Sequence, residues 1–88
     1  MYKVISTDDY HRAVQGFPQH VRVLAKRQID LLAANWRDSR LHVKKLRERR
    51  SIYSFRITRN YRAFFYFDTQ DSIIVFDADD RKDAYRRR

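Results

Sequence analysis

Three β-prone runs, residues 52–58, 61–68 and 72–78, follow one another with only Arg59-Asn60 and Thr69-Gln70-Asp71 between them. Breaks of that length cannot carry a crossover, so the strands must reverse direction at each one and form an antiparallel meander. Apolar residues alternate within the runs. Tyr53, Phe55 and Ile57 oppose Ser54, Arg56 and Thr58, while Tyr61, Ala63, Phe65 and Phe67 oppose Arg62, Phe64 and Tyr66. Successive side chains of a strand point to opposite faces, so one face of this sheet calls for cover and the other can stay open.

The N-terminal half supplies the cover. Residues 2–6 are a short β-prone run, and Ser6-Thr7-Asp8-Asp9 then offers a capping hydroxyl and two acids suited to a helix start. The first helix is predicted over residues 8–15 and stops at Gly16. Pro18 suits the first turn of a second, longer helix. Its apolar positions Val21, Leu24, Ala25, Ile29, Leu32 and Trp36 recur at helical spacing, and Arg22, Lys26, Arg27 and Asp30 form its solvated side. Residues 37–50 lose periodicity and turn basic, reading as a connection with a short extended stretch at 41–46. Residues 79–88 read as a terminal helix or turn. The expected architecture is α+β in the order β-α-α-β-β-β, one domain over residues 1–88, with a two-helix hairpin on one face of a mostly antiparallel, twisted sheet.

Pairing can be narrowed further. If the apolar sets of both central strands face the helices, directly opposed residues must have numbers of equal parity, because cross-strand partners share a face. The predicted solution is a three-residue loop, residues 59–61, with a bulge and a left-handed Asn60, which pairs Thr58 with Arg62 and Arg56 with Phe64. Arg56, Arg62, Phe64 and Tyr66 then share the open face. Cations beside aromatics suit phosphate gripping and base stacking. The same pattern also describes a solvated sheet face with arginine stems lying over rings.

Twenty Lys and Arg against eleven Asp and Glu give +9 at pH 7 and a pI near 10.4, a surface that favours nucleic acid, an anionic membrane or an acidic protein partner. Most of the cations are arginine, whose planar fork matches phosphate oxygens. Without cysteine there is neither a disulfide nor a thiolate metal site. No stretch is apolar enough for a signal peptide or membrane span, so the chain is expected to be cytoplasmic, with no membrane partner. His11 and His20 have no ligand partner at metal spacing, and Asp77, Asp79, Asp80 and Asp83 lie among Arg81, Lys82 and Arg86, so neither metal nor cofactor is expected. His42, beside Lys44, can be read as a surface residue or as a general acid or base. There is no glycine-rich phosphate loop and no supported Ser/His/Asp set. Catalysis by such a chain would run on Arg, Lys, Tyr and His, a set suited to RNA cleavage by attack of a 2′-hydroxyl on the neighbouring phosphate.

Four segments together carry a resemblance: Leu41-His42-Val43-Lys44-Lys45-Leu46, Tyr53-Ser54-Phe55-Arg56-Ile57-Thr58, Asn60-Tyr61-Arg62-Ala63-Phe64-Phe65-Tyr66 and Asp80-Arg81-Lys82-Asp83-Ala84-Tyr85. With the short first strand and the helix hairpin, the chain resembles the RelE/ParE superfamily of type II toxin–antitoxin toxins over nearly its whole length. The resemblance implies a ribosome-dependent endoribonuclease that cuts mRNA without a metal and is held inactive by a cognate antitoxin. By position it implies a catalytic set of Arg56, Arg62, Arg81 and Tyr85, and it places His42 and Lys44 in the family's His/Lys-Leu segment. Lys45 and Arg47 of the basic segment join them in holding RNA, with Phe64 as a stacking surface. Ser54 and Asp80 depart from the pattern, standing where RelE carries a lysine and where many relatives carry a histidine. Two other readings stay open: a ParE-like inhibitor of DNA gyrase, and a catalytically degenerate homologue that binds antitoxin. The expected partners are an antitoxin with an acidic or partly disordered segment, the ribosome and mRNA, and operator DNA through the antitoxin complex.

Overall fold

The computed structural model describes residues 1–46 and 51–81. Strand β1 (Lys3–Ser6) leads into helices α1 (Asp8–Gln15) and α2 (Gln19–Ala34), and a single 3-10 turn at Ser39–Leu41 precedes strand β2 (Lys44–Lys45). Strands β3 (Tyr53–Thr58), β4 (Tyr61–Phe67) and β5 (Ser72–Asp80) complete a sheet of order β1-β5-β4-β3-β2. β1 runs parallel to β5, and every other neighbour pair is antiparallel. The order β-α-α-β-β-β holds, with β2 as a fifth, two-residue strand cut from the extended stretch expected at 41–46. No helix among the described residues is long and apolar enough to cross a membrane.

Both helices lie on one face. Thr7 caps α1 by accepting from Tyr10 N at 3.2 Å, and its hydroxyl donates to Phe76 O at 3.2 Å, which ties the helix start to β5. In α2 the buried stripe is Val21, Ala25, Gln28 and Leu32. Against it and Tyr10 pack Leu41, Phe55, Ile57, Ala63, Phe65, Ile73, Val75 and Ala78. Phe65, Ile73 and Val75 are fully shielded, each large side chain there contributing about 1.5–3 kcal/mol by burial.

Gln28 is the unexpected member of that stripe. Its Nε2 donates to Arg56 O at 2.8 Å and to Arg40 O at 3.1 Å, so one buried amide ties α2 to β3 and to the turn before β2.

The pairing differs from the predicted one. Thr58 and Tyr61 flank a two-residue turn at Arg59-Asn60, and the irregularity lies at Ile57, between Arg56 and Thr58. Equal parity is thus restored by a bulge inside β3 rather than by a longer loop. Arg56 stands opposite Arg62, and Ser54 opposite Phe64. Asn60 is not left-handed; among the described residues the only positive φ belongs to His42. Thr58 Oγ1 accepts from Asn60 N at 3.3 Å, which steadies the turn without a left-handed residue.

β5 also runs two residues past its predicted end at 78, because Asp79 pairs with Arg62 and Asp80 with Tyr61. Residues 79–80 therefore belong to the sheet and not to a terminal helix or turn. A second irregularity, at Phe64/Phe65, sets Phe76 beside Phe64 and Tyr66 on the open face, with ring centroids 6.4 and 5.7 Å away.

Candidate functional site

The open face is organised in rows that cross the strands. One row reads Arg56, Arg62, Asp79, and the next Lys44, Ser54, Phe64, Asp77. Charge therefore runs from positive over β2 and β3 to negative over β5. Arg56 and Arg62 are direct cross-strand partners, an arrangement of like charges that destabilises a sheet by about 0.2–1 kcal/mol unless something lies between or beside them. Arg62 lies with its guanidinium carbon 5.0 Å from the centre of the Phe64 ring, and its Nε donates to Asp79 Oδ1 at 3.1 Å.

At the β3–β4 end of this face is a shallow cleft of about 60 Å³, lined among others by His42, Lys44, Ser54, Arg56, Tyr61, Arg62 and Arg81. The cleft is small and open to solvent, with room for a phosphate group. The hairpin tip helps to build it. Arg81 N donates to Asn60 O at 2.7 Å, which holds the end of β5 against the turn and brings Arg81 to the cleft.

His42 reaches the cleft by a different device. Its φ of 47° and ψ of 51° are left-handed, a conformation that costs an ordinary residue roughly 1–2 kcal/mol. The turn before it is fixed by Asp38, which accepts from Arg40 N at 2.9 Å and clasps the Arg40 side chain through both carboxylate oxygens, at 3.0 and 2.8 Å. Hydrogen bonds from the Arg40 side chain, and next from its backbone, hold the Asp38 carboxyl down to about 2. Leu41, fully buried, pins the same turn to the core.

Of the residues expected at a site, His42, Lys44, Arg56, Arg62 and Arg81 come together around this one cleft. Phe64 lies beside them under Arg62. Lys45 does not join them. It pairs with Tyr53, and its Nζ lies 5.9 Å from the Tyr53 ring, whose neighbours Trp36, Phe65 and Phe67 belong to the covered side. Arg47 and Tyr85 lie outside the described residues. Sequence reasoning missed Gln28, and it set Asp79 in a terminal helix or turn rather than on β5 beside Arg62. A glutamine falling on an otherwise apolar helical stripe was the available signal for Gln28.

A family model for the ParE-like toxin domain matches residues 19–77, which include α2, β3, β4 and most of β5. The chain belongs to this ParE-like toxin family. It has the fold of solved RelE and ParE relatives. The RelE toxin in the RelB–RelE complex of Methanococcus jannaschii superposes with a TM-score of 0.77 at 23% identity, covering 94% of this chain and 96% of that one. The YoeB/ParE toxin of Agrobacterium tumefaciens gives 0.73 at 13% identity over 89% and 96%. The isolated RelE toxin of E. coli gives 0.69 at 16% identity over 99% and 98%. No curated protein sequence matches the chain.

In this ParE-like toxin domain the two departures from the RelE pattern sit at opposite sides of the site. Ser54, 7% exposed, forms part of the cleft between Lys44 and Phe64. Asp80 ends β5 opposite Tyr61, next to Arg81. Among the described residues no group of three His, Cys, Asp or Glu side chains could hold a metal ion.

Proposed function

We propose that this toxin cleaves mRNA bound in the ribosome and is held in check by a cognate antitoxin. The observation that carries the reading is the convergence of His42, Lys44, Arg56, Arg62 and Arg81 on one small cleft beside the half-buried Phe64 ring. These five side chains come from four separate parts of the chain. In the reaction the 2′-hydroxyl attacks the adjacent phosphorus, its oxygen–phosphorus bond forms as the bond to the 5′-oxygen breaks, and a 2′,3′-cyclic phosphate is left. Arg56, Arg62 and Arg81 stabilise the charge gathering on the phosphoryl oxygens. His42, the one imidazole lining the cleft, can carry a proton to or from the reacting oxygens. Phe64 offers a face on which a base can stack.

The antitoxin reading rests on charge and on likeness. A chain of +9 with an uncovered sheet face suits an acidic segment that orders as it binds, and the M. jannaschii relative was solved as an antitoxin–toxin complex. The test of the nuclease is cleavage of mRNA on programmed ribosomes by the purified protein. Arg62→Ala is expected to lower the rate about 100-fold or more while leaving the fold intact; an unchanged rate would rule out this site.

Ser54 in the cleft and Asp80 beside Arg81 favour a second reading, a toxin that inhibits DNA gyrase by binding it, since both replace groups useful for RNA cleavage. Supercoiling and translation assays run side by side separate the two, because each reading leaves one of them unaffected.

A further inference from the structure

A carboxylate paired with one of the arginines of the cleft needs a reason. Asp79 lies directly across from Arg62 and is 25% exposed, while the Arg62 side chain is 37% exposed. A partly exposed ion pair contributes little to stability, so the pair is not explained by fold alone. Its geometry is more telling. Asp79 engages Nε, and the guanidinium carbon lies over the Phe64 ring. Among the described residues no hydrogen bond engages the two Nη groups, the pair that matches two phosphate oxygens in a fork. Arg56, directly opposite on β3, would otherwise push this flexible side chain away from the cleft.

We propose that Asp79 is a positioning residue: it holds Arg62 Nε so that the Nη fork stays aimed into the cleft, against the repulsion of Arg56. The inference rests on the reading of the cleft as an RNA phosphate site. It assigns Asp79 two opposed effects, an acceptor that orients Arg62 and a charge that repels the incoming phosphate. Two substitutions separate them, because Asp79→Asn and Asp79→Ala remove the same charge while only asparagine keeps an oxygen for Nε.

The experiment compares the full-length wild type and both variants in single-turnover cleavage on programmed ribosomes, and in binding to a 2′-O-methyl RNA that cannot be cut. Asp79→Asn is expected to cleave about 10-fold or more faster than Asp79→Ala, since small displacements of a catalytic group carry effects of that size or larger. Asp79→Asn is also expected to bind the uncleavable RNA more tightly than Asp79→Ala. Equal behaviour of the two variants overturns the proposal. If both equally gain, Asp79 acts only as a competing charge; if both equally lose, the charge and not the acceptor matters. Asp79→Val, which suits a strand and has no acceptor, replaces the alanine variant should that fold poorly. A wild type that neither cuts nor binds RNA refutes the reading of the cleft. A wild type that does either, with indistinguishable variants, refutes the role of Asp79 alone.

Discussion

The two faces of this sheet are written by alternate residues of the same strands, yet they obey different rules. On the covered face Phe55, Ile57, Ala63, Phe65, Ile73, Val75 and Ala78 interlock with α2 and Tyr10, and what matters is volume. On the open face Lys44, Arg56 and Arg62 are gathered in spite of their mutual repulsion. The comparison teaches that stability and function are separated here by a step of one residue. A change at Ala63 or Phe65 of β4 should unfold the protein, and one at Arg62, a single step away, should disarm it.

The harshest way to break that separation is Phe65→Ala, which is expected to destabilise by about 3–5 kcal/mol in denaturant unfolding, as large-to-small changes at fully buried sites do. If Phe65→Ala instead leaves stability intact and removes activity, the division of labour is wrong. Gln28 sits on the boundary, since it belongs to the covered side but bonds to the backbone of Arg56. Gln28→Ala leaves two backbone acceptors without this donor and is expected to cost about 1–3 kcal/mol. It should also loosen the cleft, seen as faster amide exchange around the 3-10 turn.

His42 offers a finer contrast. Because its backbone is left-handed, His42→Gly is expected to be more stable than His42→Ala by about 1 kcal/mol, although both lack the imidazole. Equal melting temperatures for the two variants would show that the turn relaxes freely.

The smallest effects lie in pH, where the faces should differ in direction. Burial pushes the Tyr10 phenol up to about 12, so its contribution is complete below the ordinary value of 10 and is lost as pH rises through about 12. Tyr10→Phe should remove that alkaline component of unfolding. Asp38 is held down to about 2, so its grip on the His42 turn is complete above the ordinary 3.8 and is lost as pH falls through about 2. Carbon-13 titration of the Asp38 carboxyl checks the second.

The elements themselves could be read from the residues, because a one-sided sheet must alternate and an amphipathic helix must recur. Register could not. A three-residue loop and a two-residue turn with a bulge at Ile57 both satisfy the parity rule, and neither Arg59 nor Asn60 discriminates between them. Five of the expected site residues converge, since strand phase alone sends Arg56 and Arg62 to one face. Lys45 fell on the other side for the same reason, one step along β2 from Lys44. The strand position of Asp79 was missed because two consecutive acids look like the end of a strand; only the ladder to β4 shows that they continue it.

The parallel pairing of Lys3–Ser6 with β5 has a consequence for the order of events during synthesis. β5 lies between the first strand and β4, and it also delivers Asp79 and Arg81. A nascent chain that has not yet released β5 leaves its first strand without a neighbour and its cleft without two of the side chains that shape it. Closing contacts between residues so distant in sequence are slow relative to local ones. The cleft is therefore completed late, in the same step that completes the sheet.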